Sequence, residues 1–309
     1  MPQSQIGHVW TVDHHLPAER VTFAFRPDVE PALRVRPGAV VAFETSSAPI
    51  ERLFAAGERW LEALDITAIN AVTGPVYVEG VEPGDAVSVE ILEVRPGDWG
   101  WNARIPDFGL LSDTLPTPLL KRHEIENGRI RLSDRLSLPL RAMIGCLGLA
   151  PALGATSTLG PATPWGGNYD LIQAKPGNTI LFPAQVPGGL FSLGDLHASM
   201  GAHEATFVSI ECPGTATVRL GVRKGLRLQT PRIEAPDRIY VVGLGIGADF
   251  NAARQQAVDL LHTYLIDEHG LTAEESYAVI SATGDIELGG PVNAIVLGSL
   301  PWSVLESAG

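Results

Sequence analysis

The sequence predicts a mainly β protein: a β-sandwich or barrel core with a C-terminal α+β region. Three observations carry that prediction. Glycine (33) and proline (24) are abundant and fall as punctuation between short apolar stretches, as in chains built of short strands and tight turns. One device recurs three times, in RVRPGAVVAF (34–43), VEPGDAVSVEI (81–91) and AKPGNTILF (174–182). In each, proline fixes φ at the second position of a turn, glycine takes positive φ at the third, and an alternating apolar strand follows. Helix signals are concentrated after residue 248.

Taken in order, the Pro-Gly segments give strands through the first half of the chain, and IENGRI (125–130) adds an Asn-Gly hairpin. Residues 145–170 are rich in glycine and proline with little periodicity, and read as a long loop forming a wall or lid. Residues 178–190 read as extended structure and turn, and residues 205–211 as a strand. Asp249 reads as the N-cap of a helix reaching about residue 267, with Ala253, Ala257, Leu260, Leu261 and Tyr264 on one face. Thr272 and Glu275 match a capping box for a second helix through residue 280. Residues 291–297 read as a closing strand. The expected division is a β-rich catalytic core, 1–235, and an α+β region, 236–309, packed on it.

Composition excludes several classes. The 309 residues, 18% charged and 45% hydrophobic, suit an ordinary globular protein. A net charge of -13 with no basic stripe argues against a nucleic-acid partner. Cys146 and Cys212 have no disulfide or zinc-finger spacing; Cys146, among the apolar residues of IGCLG (144–148), reads as a buried structural thiol. Residues 1–10 lack signal-peptide character, and the longest apolar run, 239–248, is too short to span a bilayer. A soluble, cytoplasmic protein without a membrane partner is expected.

The most informative stretch is LGDLHASMGAHE (193–204). Asp195 and His197 stand two apart, so on a strand they share a face. The Gly201 turn can return His203 or Glu204 toward them, giving a metal or acid–base site. Glu204 is the expected proton carrier, with His203 as its competitor because an imidazole titrates near neutrality. Asn168 is a neutral donor and acceptor, and Asp170 either binds metal or orients a ligand. Trp99 and Trp101 are candidate pocket walls, and Glu44 reads as either a cleft carboxylate or a solvated turn residue. Of Asp13, His14 and His15, at most one histidine faces a given site. The GLGIG run (243–247) lacks the G-x-G-x-x-G spacing of a nicotinamide site and reads as a tight turn before the Asp249 helix.

Four segments give the chain a recognisable likeness: TGPVYVEGVEPGD (73–85), GGNYD (166–170), GDLH (194–197) followed by GAHE (201–204), and LTAEESYAVIS (271–281). The sequence resembles the acetamidase/formamidase family of amide hydrolases. The resemblance implies metal-assisted hydrolysis of a small linear carboxamide such as acetamide or formamide, with release of ammonia, by a homodimer. It implies Asp195, His197 and Asp170 as metal ligands, with His15 as a possible fourth. Zinc is the first expectation, with calcium or manganese as alternatives. The family pattern GD-x-H-x-x-QGDGE is altered here: Met200 replaces glutamine, and Ala202-His203 replace Asp-Gly. A non-catalytic metal- or ligand-binding β protein and a hydrolase of cyclic amides are the competing readings.

Overall fold

The computed structural model describes residues 10–305 except 161, 246, 248, 292 and 293. Residues 1–9, on which the reading of the N-terminal leader mostly rests, lie outside the described residues.

The three Pro-Gly turns behave alike. Gly38, Gly84 and Gly177 take φ of 96°, 93° and 92°, the positive φ that a type II turn demands at its third position. The strands that follow, Val40–Glu44, Ala86–Pro96 and Thr179–Pro183, all enter one nine-stranded sheet. Gly214–Arg223 lies between the first two of them, and His14–Leu16 forms one edge. Beyond Thr179–Pro183 the sheet continues through Arg232–Glu234, Arg238–Leu244, Ile295–Pro301 and Asp285–Leu288. The point between residues 235 and 236 thus falls between two antiparallel neighbours of a single sheet.

An eleven-stranded sheet faces the first. It holds Trp99–Arg104, Leu119–Glu126 and Arg129–Arg131, the last two joined at Asn127 and Gly128 with φ of 53° and 72°, the turn an Asn-Gly hairpin forms. It also holds Val72–Val78, Met143–Gly148, Gly166–Asn168, Phe191–Ser199 and Ile210–Cys212. Phe43, Val89, Ile91 and Val218 of one sheet pack with Val76, Ile144, Leu147 and Phe191 of the other in a single buried cluster. That is the core of a sandwich.

Four helices matter to the argument. Helices α1 (Ala48–Ala56) and α2 (Trp60–Ala63) stand in the part of the chain expected to be β. They carry weak helix signals: Ser47, preceding α1, makes no side-chain cap bond, and α2 is one turn long. They form because Ile50, Leu53 and Trp60 bury apolar surface together with Ala103. Helices α3 (Phe250–His269) and α4 (Ala273–Thr283) follow their caps. The Asp249 carboxylate accepts from the amides of Asn251 and Ala252, and Thr272 and Glu275 close a capping box.

The glycine run at 243 serves packing. A Cβ on Gly243 would sit 2.0 Å from the Ala253 carbonyl oxygen, so glycine lets α3 lie against its strand. Other expectations shift. Only Ile210–Cys212 of residues 205–211 is strand, and the closing strand is Ile295–Pro301, not residues 291–297. The region expected to be a loop from 145 begins as the buried strand Met143–Gly148.

Candidate active site

The strand Phe191–Ser199 runs beside Met143–Gly148 along one edge. Along the other edge its first half pairs with Val72–Val78 and its second half with Ile210–Cys212. The sheet forks between these two neighbours, and Asp195 stands at the fork with φ of 58°. The left-handed residue interrupts the ladder, as in a bulge, and re-aims the carboxylate.

Four carboxylates converge on one imidazole there. His197 Nε2 lies 3.6 Å from Asp195 Oδ1, 3.7 Å from Asp170 Oδ1 and 3.1 Å from Glu211 Oε2, and Nδ1 lies 3.9 Å from Glu204 Oε1. Asp195 and His197 reach the same site, as their two-residue spacing suggests, although the left-handed Asp195 departs from regular strand geometry. Glu211, absent from the sequence reading, arrives through register: it pairs directly with His197 across the ladder. Ser209 ties the group together, its amide donating to Glu204 Oε1 at 2.6 Å and its hydroxyl bonding His197 Nδ1 at 2.8 Å. A chain of amides orients the other side. Asn70 Nδ2 donates to Asn168 Oδ1 at 2.8 Å, and Asn168 Nδ2 donates to Asp170 Oδ2 at 2.9 Å.

Two of these atoms, Asp170 Oδ1 and His197 Nε2, are buried and make no hydrogen bond; Nε2 is near Glu211 but misaligned with it. Such orphans are costly in a folded protein. Opposite them stands Gly145, where a Cβ would fall 2.6 Å from His197 Nε2, 2.7 Å from Asp170 Oδ1 and 2.7 Å from Asp195 Oδ2. Three potential ligand atoms thus point into a space that only a glycine leaves open. In the neutral tautomer whose Nδ1–H donates to Ser209, His197 Nε2 has a lone pair to offer a ligand. Asp170, Asp195 and His197 fit a divalent cation, and His197, Glu204 and Glu211 form a second, overlapping group.

Burial, then repulsion from Glu204 and Asp195, pushes the Asp170 carboxyl well above the usual range. Burial is also the main cause that pushes Glu204 and Glu211 up to about 8. Burial opposes charge on His197, but Glu211 and Asp195 outweigh it and hold the imidazole well above its ordinary value. Burial would raise Asp195 as well; the neighbouring His197 charge and the hydrogen bond from Asn70 outweigh it and keep it low. A bound cation would stabilise the ionised forms of these carboxyls, which burial and mutual repulsion otherwise disfavour.

The cluster forms the floor of a cavity of about 510 Å³. Asn168 and Trp101 line it, as expected, while Trp99 packs edge-on against Phe54 under the Arg122 guanidinium. Leu159, from the glycine-rich region, forms part of its wall. Two expected site residues stand elsewhere. His15 is exposed on the edge strand of the nine-stranded sheet, outside both clusters, and is set aside as a ligand. His203 takes φ of 69°, which swings its ring away: Nδ1 bonds the Gly289 carbonyl at 2.9 Å and the ring packs on Phe250. It is set aside as the proton carrier. Glu44 is exposed, the solvated alternative. Cys146 and Cys212 are free and buried.

The acetamidase/formamidase family model matches residues 12–158 and 152–304. The chain belongs to that family. Its members are amidohydrolases acting on carbon–nitrogen bonds other than peptide bonds. A formamidase of Methylophilus methylotrophus is 26% identical, over 75% of this chain and 74% of the relative. An acetamidase of Mycolicibacterium smegmatis is 25% identical, over 84% of each. The crystal structure of an acetamidase from Bacillus halodurans superposes with a TM-score of 0.87 at 32% identity, over 96% of this chain and 99% of that one. No described helix is long and apolar enough to cross a membrane.

Proposed function

We propose that the protein hydrolyses a linear carboxamide to a carboxylate and ammonia, with a divalent metal held by Asp170, Asp195 and His197. The observation that carries this reading is the space in front of Gly145, into which two buried, unbonded ligand atoms and a third carboxylate converge. A divalent ion, zinc first and calcium or manganese as alternatives, supplies Lewis acidity that polarises a carbonyl and acidifies water.

The chain's own residues do the rest. Glu204, pushed up to about 8 by burial, takes a proton from the attacking water and delivers it to the departing nitrogen. Its affinity for that proton lies near neutrality, where such transfer is most effective. Ser209 fixes Glu204 and His197 relative to one another. Asn168, with one Nδ2 hydrogen committed to Asp170, keeps another to bond an amide oxygen. Glu211, 3.1 Å from His197 Nε2 and also pushed up to about 8 by burial, is the alternative proton carrier. As water's oxygen bonds to the carbonyl carbon, the carbon–nitrogen bond breaks and ammonia leaves.

The test pairs two measurements on one preparation: bound metal by elemental analysis, and ammonia release from formamide and acetamide. Chelation is expected to remove both, and re-addition of metal to restore both. A metal-replete protein that releases no ammonia from any simple amide would reject the reading.

A further inference from the structure

The cavity is larger than formamide or acetamide requires. At about 510 Å³ it falls in the range of sites that take drug-sized ligands, whereas acetamide has four non-hydrogen atoms. Its polar groups are gathered at the floor, apart from Asp107, which is exposed beside Phe108 at the mouth. Its walls are apolar: Leu53 and Trp60 from the α1–α2 segment, Ile69, Ala103, Phe207 and Val208. The apolar lining reaches the mouth, where Ile66 is 58% and Phe108 45% exposed. Such a wall gains from covering by an apolar ligand, and a small polar amide leaves most of it wet.

We propose that the preferred substrates are primary amides with an extended, uncharged acyl chain, alkyl or arylalkyl, lying along the wall made by α1, α2 and Trp99–Arg104. This rests on the amidase reading above. Because ammonia leaves, the nitrogen carries no substituent, and the cavity volume serves the acyl side. The acidic floor excludes anionic chains. The bonds made and broken are those of simple amide hydrolysis; only the acyl group differs.

Each methylene moved from water onto an apolar wall is expected to raise kcat/KM about fourfold. The metal-replete enzyme is assayed for ammonia release from acetamide, butanamide, hexanamide and 4-phenylbutanamide, and for amine release from N-hexylacetamide. From acetamide to hexanamide, four methylenes, kcat/KM is expected to rise roughly two-hundredfold. The hexanamide-to-acetamide ratio is expected to fall at least about tenfold in Val208→Trp, which fills the cavity, and by a smaller factor in Ile66→Asp. Ile66 is exposed, so that second variant tests the wall without threatening the fold. Acetamide turnover with a flat or falling chain-length series would overturn the proposal and leave the amidase reading intact. A preference for N-hexylacetamide would also overturn it, placing the chain on the nitrogen side. No turnover of any amide would reject both.

Discussion

The two sheets of the sandwich are drawn differently. In the nine-stranded sheet no strand contains a non-glycine residue with positive φ. All eight such residues among those described, Asp107, Asn127, Asp170, Leu190, Asp195, His203, Glu204 and Phe207, lie in the eleven-stranded sheet or in segments adjoining its strands. Each conformation costs about 1–3 kcal/mol and persists only where the surroundings over-determine it. Asp170, Asp195 and Glu204 are three of the four carboxylates at the fork. The regular sheet, backed by α3 and α4, therefore supplies stability, and part of that stability holds the other sheet's carboxylates where relaxed backbone would not place them.

If that contrast is right, substitutions in the two regions should separate cleanly. The largest effect is expected from His197→Ala, which removes the ligand atom common to both candidate metal groups. Bound metal should be lost while the circular dichroism spectrum is kept; a full metal complement in this variant would break the assignment. Next, Glu204→Gln keeps the shape and removes the base. We expect metal retained and kcat lowered at least about a hundredfold. Near-normal turnover in Glu204→Gln, with loss in Glu211→Gln, would move the proton transfer across the cluster.

A smaller effect is expected at Gly145→Ala. The added methyl enters the space shared by Asp170, Asp195 and His197, and metal affinity measured by chelator competition should fall roughly ten- to a hundredfold, the scale of disturbing a ligand's support. Unchanged affinity would mean that the ion sits elsewhere. The smallest is Asp249→Ala in the supporting region. Losing the two cap bonds of α3 should cost about 1 kcal/mol in chemical denaturation without changing kcat/KM. A drop in activity from that variant would show that α3 does more than support.

The same contrast decides what was legible in the sequence. Regular structure announces itself locally. The Pro-Gly turns, the Asn127-Gly128 hairpin, the Asp249 cap and the Thr272–Glu275 box are short-range devices, and each appears where its residues put it. Asp195 and His197 were legible for the same reason, since two-residue spacing on a strand is local. Glu211 was not, because its place opposite His197 is a matter of register between separate strands. A lone carboxylate between Ile210 and Cys212 in a buried strand was the available signal. Asn70 and Ser209 likewise act only through residues distant in sequence or brought back by a turn. Helices α1 and α2 were missed because their stability comes from burial of Leu53 and Trp60 and not from caps. His203 and Glu204 are neighbours that the backbone sends to opposite destinations, one to Gly289 and one to the fork.

Ser209 has a mechanical consequence. Through its amide it grips the Glu204 carboxylate, and through its hydroxyl the His197 imidazole, so one residue sets the spacing of the two groups. The Glu204 carboxylate, from the short turn Ala202–Glu204, is thereby tied to the imidazole on the strand Phe191–Ser199. Precision at the reacting centre is a matter of relative, not absolute, rigidity, and here a single serine acts as the yoke.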